Sequence, residues 1–148
     1  MIALLQRVTK AAVEVDGQRI GAIDKGLMVL VGVEKGDDAD IAQRLADKLL
    51  KYRVFSDEDD KMNLSVQDIQ GELLLVPQFT LAASTQKGLR PSFSSAASPA
   101  DGETLFNKFV AMVKSANSQV ETGQFGADMK VSLVNDGPVT FWLQIPAK

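Results

Sequence analysis

The pattern of apolar and polar positions divides the chain into strand-like ends and two helix-like interruptions. Residues 2–5 are all apolar and give way to polar Gln6 and Arg7. Residues 11–15 alternate and stop at Asp16-Gly17, a two-residue turn signal, so residues 19–23 are placed to return as the second arm of a hairpin. Residues 26–33 form the longest apolar run of this region. Val29, Val31 and Val33 favour a buried strand over a helix there. Ile41, Leu45, Leu49 and Tyr52 then recur at helical spacing behind Asp37 and Asp38, either of which can cap the first turn.

Residues 72–81 predict a second buried strand with Pro77 near its end. Ser98-Pro99-Ala100-Asp101 reads as an N-cap, a proline at the first helical position and a capping-box acid. The helix it opens carries Leu105, Phe106, Phe109, Val110 and Val113 on one face. Two further β-like segments, 129–135 and 139–145, are joined through Asp136-Gly137-Pro138, which in isolation is a hairpin turn. No repeat, low-complexity tract or linker interrupts this order. The expectation is therefore one α+β domain over residues 1–148, with largely antiparallel, barrel-like sheets covered by two main helices.

Composition narrows the chemistry. The 148 residues contain no cysteine and no histidine. The first absence excludes disulfides, thiolate nucleophiles and thiolate-built metal sites. The second excludes an imidazole base and histidine-ligated metals. A formal net charge of −3 argues against a protein that coats a duplex, and leaves room for a small footprint on a nucleic acid. The first fifteen residues include Gln6, Arg7, Lys10 and Glu14, so they lack the apolar core of a signal peptide, and no stretch approaches the ~20 apolar residues of a membrane span. The expected location is the cytoplasm, with no membrane partner. Asp57 to Asp60 fail as a calcium loop because Lys61 takes a ligand position and no glycine follows. No metal or other cofactor is expected.

Two segments place special residues inside apolar surroundings. One runs from Pro77-Gln78-Phe79-Thr80-Leu81 into a loop that lacks acidic residues and carries Lys87 and Arg90. Its plain reading is a strand end followed by a solvated turn. The other is Asn135-Asp136-Gly137-Pro138-Val139-Thr140-Phe141-Trp142. Considered together with the opening Met1-Ile2-Ala3-Leu4-Leu5-Gln6-Arg7-Val8, and with Tyr52-Arg53-Val54-Phe55-Ser56-Asp57, Lys87-Gly88-Leu89-Arg90-Pro91-Ser92-Phe93 and Ala127-Asp128-Met129, they give the chain a close resemblance to the D-aminoacyl-tRNA deacylases. The likeness covers nearly the whole chain in order.

The resemblance implies a homodimer with its active site at the subunit interface. It implies that Gln78, Phe79 and Thr80 line the pocket for the 3′-terminal adenosine of a D-aminoacyl-tRNA, and that Phe125 and Met129 flank it. It also implies that the Gly137-Pro138 peptide is cis and enters the other subunit's site, and that Arg7 braces that motif. Pro77 departs from the family, in which serine is common; proline lacks both the hydroxyl and the N–H. Lys87 and Arg90 are the candidate contacts to terminal phosphates.

The implied reaction is hydrolysis of the ester that joins a D-amino acid to tRNA, with Phe79 and Thr80 supplying the catalytic groups. Backbone N–H groups near Phe79 and Thr80 are the candidate oxyanion donors. Thr80 is a weak nucleophile without a base, so activation by the substrate's own 2′-hydroxyl is the expected route. A backbone wall at Gly137 would exclude L side chains and would not exclude glycine, so glycyl-tRNA is an expected substrate. A non-catalytic RNA-end binding module is the competing class, and metal-assisted hydrolysis is a third.

Overall fold

In the computed structural model, which describes residues 1–147, one six-stranded sheet curls into a nearly closed barrel with two helices on its outside. The sheet is built on β1 (Ile2–Val15), which pairs antiparallel with three strands. Its first half meets β3 (Gly26–Gly32), its second half meets β2 (Gln18–Ile23), and its other edge carries β8 (Lys130–Gln144). The β1–β2 turn falls at Asp16 and Gly17, both at positive φ, as a tight hairpin of right-twisted strands requires.

The sheet is more mixed than the sequence pattern suggests. β6 (Glu72–Pro77) runs parallel to β3, and β7 (Val120–Thr122) runs parallel to β6. The long connection through the first helix makes a parallel return possible. The barrel closes where β2 approaches β7: a Cβ on Gly21 would sit 3.1 Å from the Thr122 carbonyl oxygen. A small hairpin, β4 (Phe55–Ser56) with β5 (Met62–Leu64), stands apart.

Central strands are buried on both faces, which explains their unbroken apolar runs. From β3, Leu27, Val29 and Val31 face the helices while Met28 faces the barrel interior. From β6, Leu73 and Leu75 take the first direction and Leu74 and Val76 the second. The helices α1 (Ala39–Lys51) and α2 (Pro99–Ala116) cover the outer face with Ile41, Leu45 and Leu49, and with Leu105, Phe106, Phe109 and Val113. Asp38 caps α1 through Ile41 N–H, and Ser98 caps α2 through Asp101 N–H. Phe109 is fully buried, and its truncation to alanine costs about 3–5 kcal/mol by cavity formation.

Asp37 has a different use from the cap its position suggests. Its carboxylate accepts from the α-ammonium of Met1 at 2.9 Å and from Glu34 N–H at 2.7 Å, and Glu34 Oε1 accepts from the same ammonium at 3.2 Å. The turn after β3 is therefore pinned to the start of β1. Among the described residues, no helix is long and apolar enough to cross a membrane.

Candidate active site

The strand expected over residues 72–81 ends early. Val31 pairs with Pro77, Gln78 N–H still reaches the Val31 carbonyl at 2.8 Å, and the chain then winds through a short 3-10 turn, Phe79–Ala82. Gly32 permits this: a Cβ there would lie 3.1 Å from the Leu81 Cβ, so the turn folds back over the end of β3 only because the side chain is missing. The turn leaves Phe79 60% exposed.

Beside this turn opens a cavity of about 790 Å³. Its lining includes Val31, Val33, Pro77, Gln78, Phe79 and Phe93 together with Phe106, Phe125, Gly126 and Met129. The Phe79 and Phe93 rings meet at 5.2 Å and the Phe106 and Phe125 rings at 6.5 Å, both tilted. Two glycines set its shape. Gly102 on α2 leaves room for the Phe125 ring, and Gly123 lies where a Cβ would come within 2.8 Å of Met129 Sδ. Apolar walls with few polar groups suit a flat heterocycle. The cavity thus gathers Gln78, Phe79, Phe125 and Met129 of the candidate residues.

Thr80 is exposed and does not line the cavity. Its hydroxyl accepts a hydrogen bond from the Gln78 side-chain amide, and an amide is no base. The N–H groups of Phe79 and Thr80 have no acceptor among the described residues, so the start of the turn presents two unused donors side by side. Lys87 and Arg90 are exposed in the loop beyond it, tied only by paired backbone bonds between Ser84 and Ser92, and neither lines the cavity. Lys35 does line it, and no feature of the sequence pattern singles it out.

The second motif is not a hairpin. The chain does not reverse at Asp136-Gly137-Pro138, because both flanking segments pair with β1 in one direction: Gln6 opposes Thr140, and Val8 opposes Asn135. Residues 136–139 bulge out of one continuous strand, with the Gly137–Pro138 bond cis and both residues exposed. Two side chains hold the bulge. Arg7 donates through Nε to the Asp136 carbonyl and through Nη1 to the Val54 carbonyl, each at 2.8 Å, and Asp136 Oδ2 lies 3.7 Å from Nε. Asn135 Oδ1 accepts from Val139 N–H at 2.7 Å while its Nδ2 reaches the Val139 carbonyl, Thr140 Oγ1 and Gln6 Oε1. Arg7 therefore ties the bulge to the segment ahead of β4. Asn135 and Gln6 are supports the sequence reading missed, although an asparagine ahead of Asp-Gly-Pro is itself a signal for local backbone bonding. Gly137 and Pro138 do not line their own chain's cavity.

The acidic run serves a turn. Asp57 accepts from the Asn63 side chain and from the Asp59 and Lys61 N–H groups, which holds its carboxyl below the usual aspartate range. Among the described residues no cluster of three or more acids could hold a metal ion.

Comparison with known proteins identifies first the architecture and then the family. A solved structure described as the c-Myc DNA unwinding element binding protein superposes with a TM-score of 0.95 at 40% identity, over 99% of this chain and all of that one. A probable eukaryotic D-amino acid tRNA deacylase has the same fold, with a TM-score of 0.84 at 18% identity, over 97% of this chain and 98% of that one. The sequence model of the D-Tyr-tRNA(Tyr) deacylases matches residues 4–144. D-aminoacyl-tRNA deacylases from Marinomonas sp. (strain MWYL1) and Haemophilus influenzae (strain ATCC 51907 / DSM 11121 / KW20 / Rd) are 66% and 62% identical, covering 97% and 98% of this chain and 99% and 100% of the relatives. The chain belongs to the D-Tyr-tRNA(Tyr) deacylase family, hydrolases that act on D-aminoacyl-tRNA.

Proposed function

We propose that this protein hydrolyses the ester of D-aminoacyl-tRNA, releasing the D-amino acid and free tRNA. The observation that carries the reading is the pair of unused N–H groups, Phe79 and Thr80, beside an apolar cavity of about 790 Å³ with room for the terminal adenosine. The adenine lies between the aromatic walls, and the ester carbonyl oxygen points at the two donors.

A water oxygen then bonds to the carbonyl carbon, its proton passing to solvent through the substrate's 2′-hydroxyl. The resulting oxyanion accepts from Phe79 and Thr80 N–H, a stabilisation worth about 2.7–4 kcal/mol per donor in other hydrolases. The bond to the ribose 3′-oxygen breaks as that oxygen takes a proton. Gln78 orients the Thr80 hydroxyl, which positions the ester and does not attack it.

The protein acts as a homodimer in the cytoplasm. Gly137 and Pro138 are exposed and do not line their own chain's cavity, and Phe79, Leu89, Phe93 and Trp142 are large apolar side chains left at the surface. Association of two copies places the Gly137–Pro138 peptide of one subunit against the substrate's α-amino group in the other. A wall of bare backbone excludes L side chains and has nothing to exclude in glycine. Lys87 and Arg90 meet phosphates further along the acceptor end.

Release of labelled amino acid tests this directly. D-Tyr-tRNA is expected to be cleaved, L-Tyr-tRNA spared and glycyl-tRNA cleaved measurably. Binding of D-Tyr-tRNA without release at any protein concentration would make the protein a binding module instead.

A further inference from the structure

We infer that Lys35 is the residue that reads the phosphate on the 5′ side of the substrate's terminal nucleoside, so that the cavity takes a nucleotide and not a bare nucleoside. The inference rests on the deacylase reading for its substrate. Its ground is the charge around one turn of the chain.

Among the described residues, Lys35 is the only formally charged one that lines the 790 Å³ cavity; the rest of that lining is apolar apart from Gln78 and Ser98. In sequence it stands among acids, at Glu34, Asp37 and Asp38, and a solvated lysine there would be neutralised by its neighbours. The structure engages each of them with another partner. Glu34 and Asp37 both accept from the Met1 α-ammonium, with Asp37 and Met1 side chains fully buried, and Asp38 caps α1. No carboxylate lies within ion-pair distance of Lys35 among the described residues. Among the described residues Lys35 is thus the cavity's one charged lining residue, and no carboxylate is paired with it.

The position is also fixed. Lys35 N–H bonds the Ser95 carbonyl at 3.0 Å, Ala97 N–H bonds the Val33 carbonyl at 3.0 Å, and Gly36 turns at φ +85°, where a Cβ would press to 3.2 Å on Ala147. The lysine therefore sits on the rim of the aromatic pocket on a backbone anchored on both sides. An apolar slot for a heterocycle with one lysine among its lining residues matches a nucleoside carrying one phosphate. It does not match a free amino acid or an extended polyanion.

The experiment compares ligands with and without that phosphate. Adenosine 5′-monophosphate and adenosine are titrated by calorimetry against the wild type, Lys35→Gln and Lys35→Arg. Wild type is expected to prefer the nucleotide about tenfold, equivalent to about 1.4 kcal/mol. Lys35→Gln is expected to lose the preference and Lys35→Arg to keep it. In turnover, Lys35→Gln lowers kcat/KM for D-aminoacyl-tRNA relative to the D-aminoacyl ester of adenosine by about tenfold, through KM, and reduces the salt dependence by the slope of one phosphate, about 0.7. Equal binding of both ligands by the wild type, or equal losses on both substrates in Lys35→Gln, overturns the inference. Failure of the wild type to cleave either ester would sink the deacylase reading alone, since the ligand preference is measured without turnover.

Discussion

Replacing Arg7 separates its charge from its geometry. The guanidinium bridges two carbonyls, Asp136 on the bulge and Val54 ahead of β4, from two nitrogens at fixed angles. Its side chain is only 13% exposed, so neither bond is readily replaced by water. Hydrogen bonds from a charged donor contribute about 1.5–3 kcal/mol each. The Asp136 side chain is half exposed, and its long contact to Arg7 adds at most about 1 kcal/mol. Arg7→Met should therefore cost about 3–6 kcal/mol, or roughly 6–24 °C in Tm for a chain of this size.

Arg7→Lys is the more discriminating variant, because one ammonium cannot serve both carbonyls along the guanidinium's two directions. It should recover part of the stability and little of the activity, since a displacement of about 1 Å at a positioning group can cost about a hundredfold. Thermal unfolding at fixed protein concentration and initial rates on D-Tyr-tRNA give both readouts. Wild-type turnover in Arg7→Lys would show that the bulge is held without the bridge. An unchanged Tm in Arg7→Met would show that the two bonds contribute nothing net.

Thr80→Ala should keep turnover within about tenfold of wild type, because its hydroxyl has an amide and no base beside it; abolished single-turnover release with tRNA binding intact would make Thr80 the nucleophile. Gly123→Ala should drive Met129 into the cavity, with a stability cost of about 1–3 kcal/mol, and raise KM for D-aminoacyl-tRNA more than it lowers kcat, as steady-state kinetics would show. Asp57 is held below its ordinary pKa by the bond from Asn63 and then by the Lys61 N–H, and Asp68 by the Ser65 N–H and hydroxyl. Both groups support the fold above the unfolded value of about 3.9 and lose that support as pH falls through the lower native value. Asp57→Asn should accordingly flatten the acid limb of the pH–stability curve, and an unchanged limb would refute it.

Much of the fold is written in local pattern. The runs of β3 and β6 are apolar throughout because both faces are covered, and the caps of α1 and α2 fall where Asp38 and Ser98 stand. Non-local geometry is what the pattern hides. β7 is three residues long, too short to show periodicity, and its parallel pairing depends on β6. The early end of β6 depends on Gly32, in a different strand. The bulge in β8 reads as a hairpin until β1 is seen to run past both halves. Gln78, Phe79, Phe125, Met129 and Arg7 could be picked out through resemblance, whereas Lys35 could not, because its importance lies in what its acidic neighbours are doing elsewhere.

The pairing of β1 with β8 joins the first residues of the chain to nearly the last, from Ile2 opposite Gln144 to Glu14 opposite Lys130. During synthesis β1 can take up β2 and β3 as soon as they emerge, while its other edge waits for residues 130–144. The bulge that carries Gly137 and Pro138 exists only as an interruption of that final pairing. A nascent or truncated chain thus has neither a finished motif nor a protected edge, and an open strand of this length is a template for association with other chains. Removing β8 from its C-terminal end should turn the enzyme into an aggregating fragment before it yields a merely inactive one.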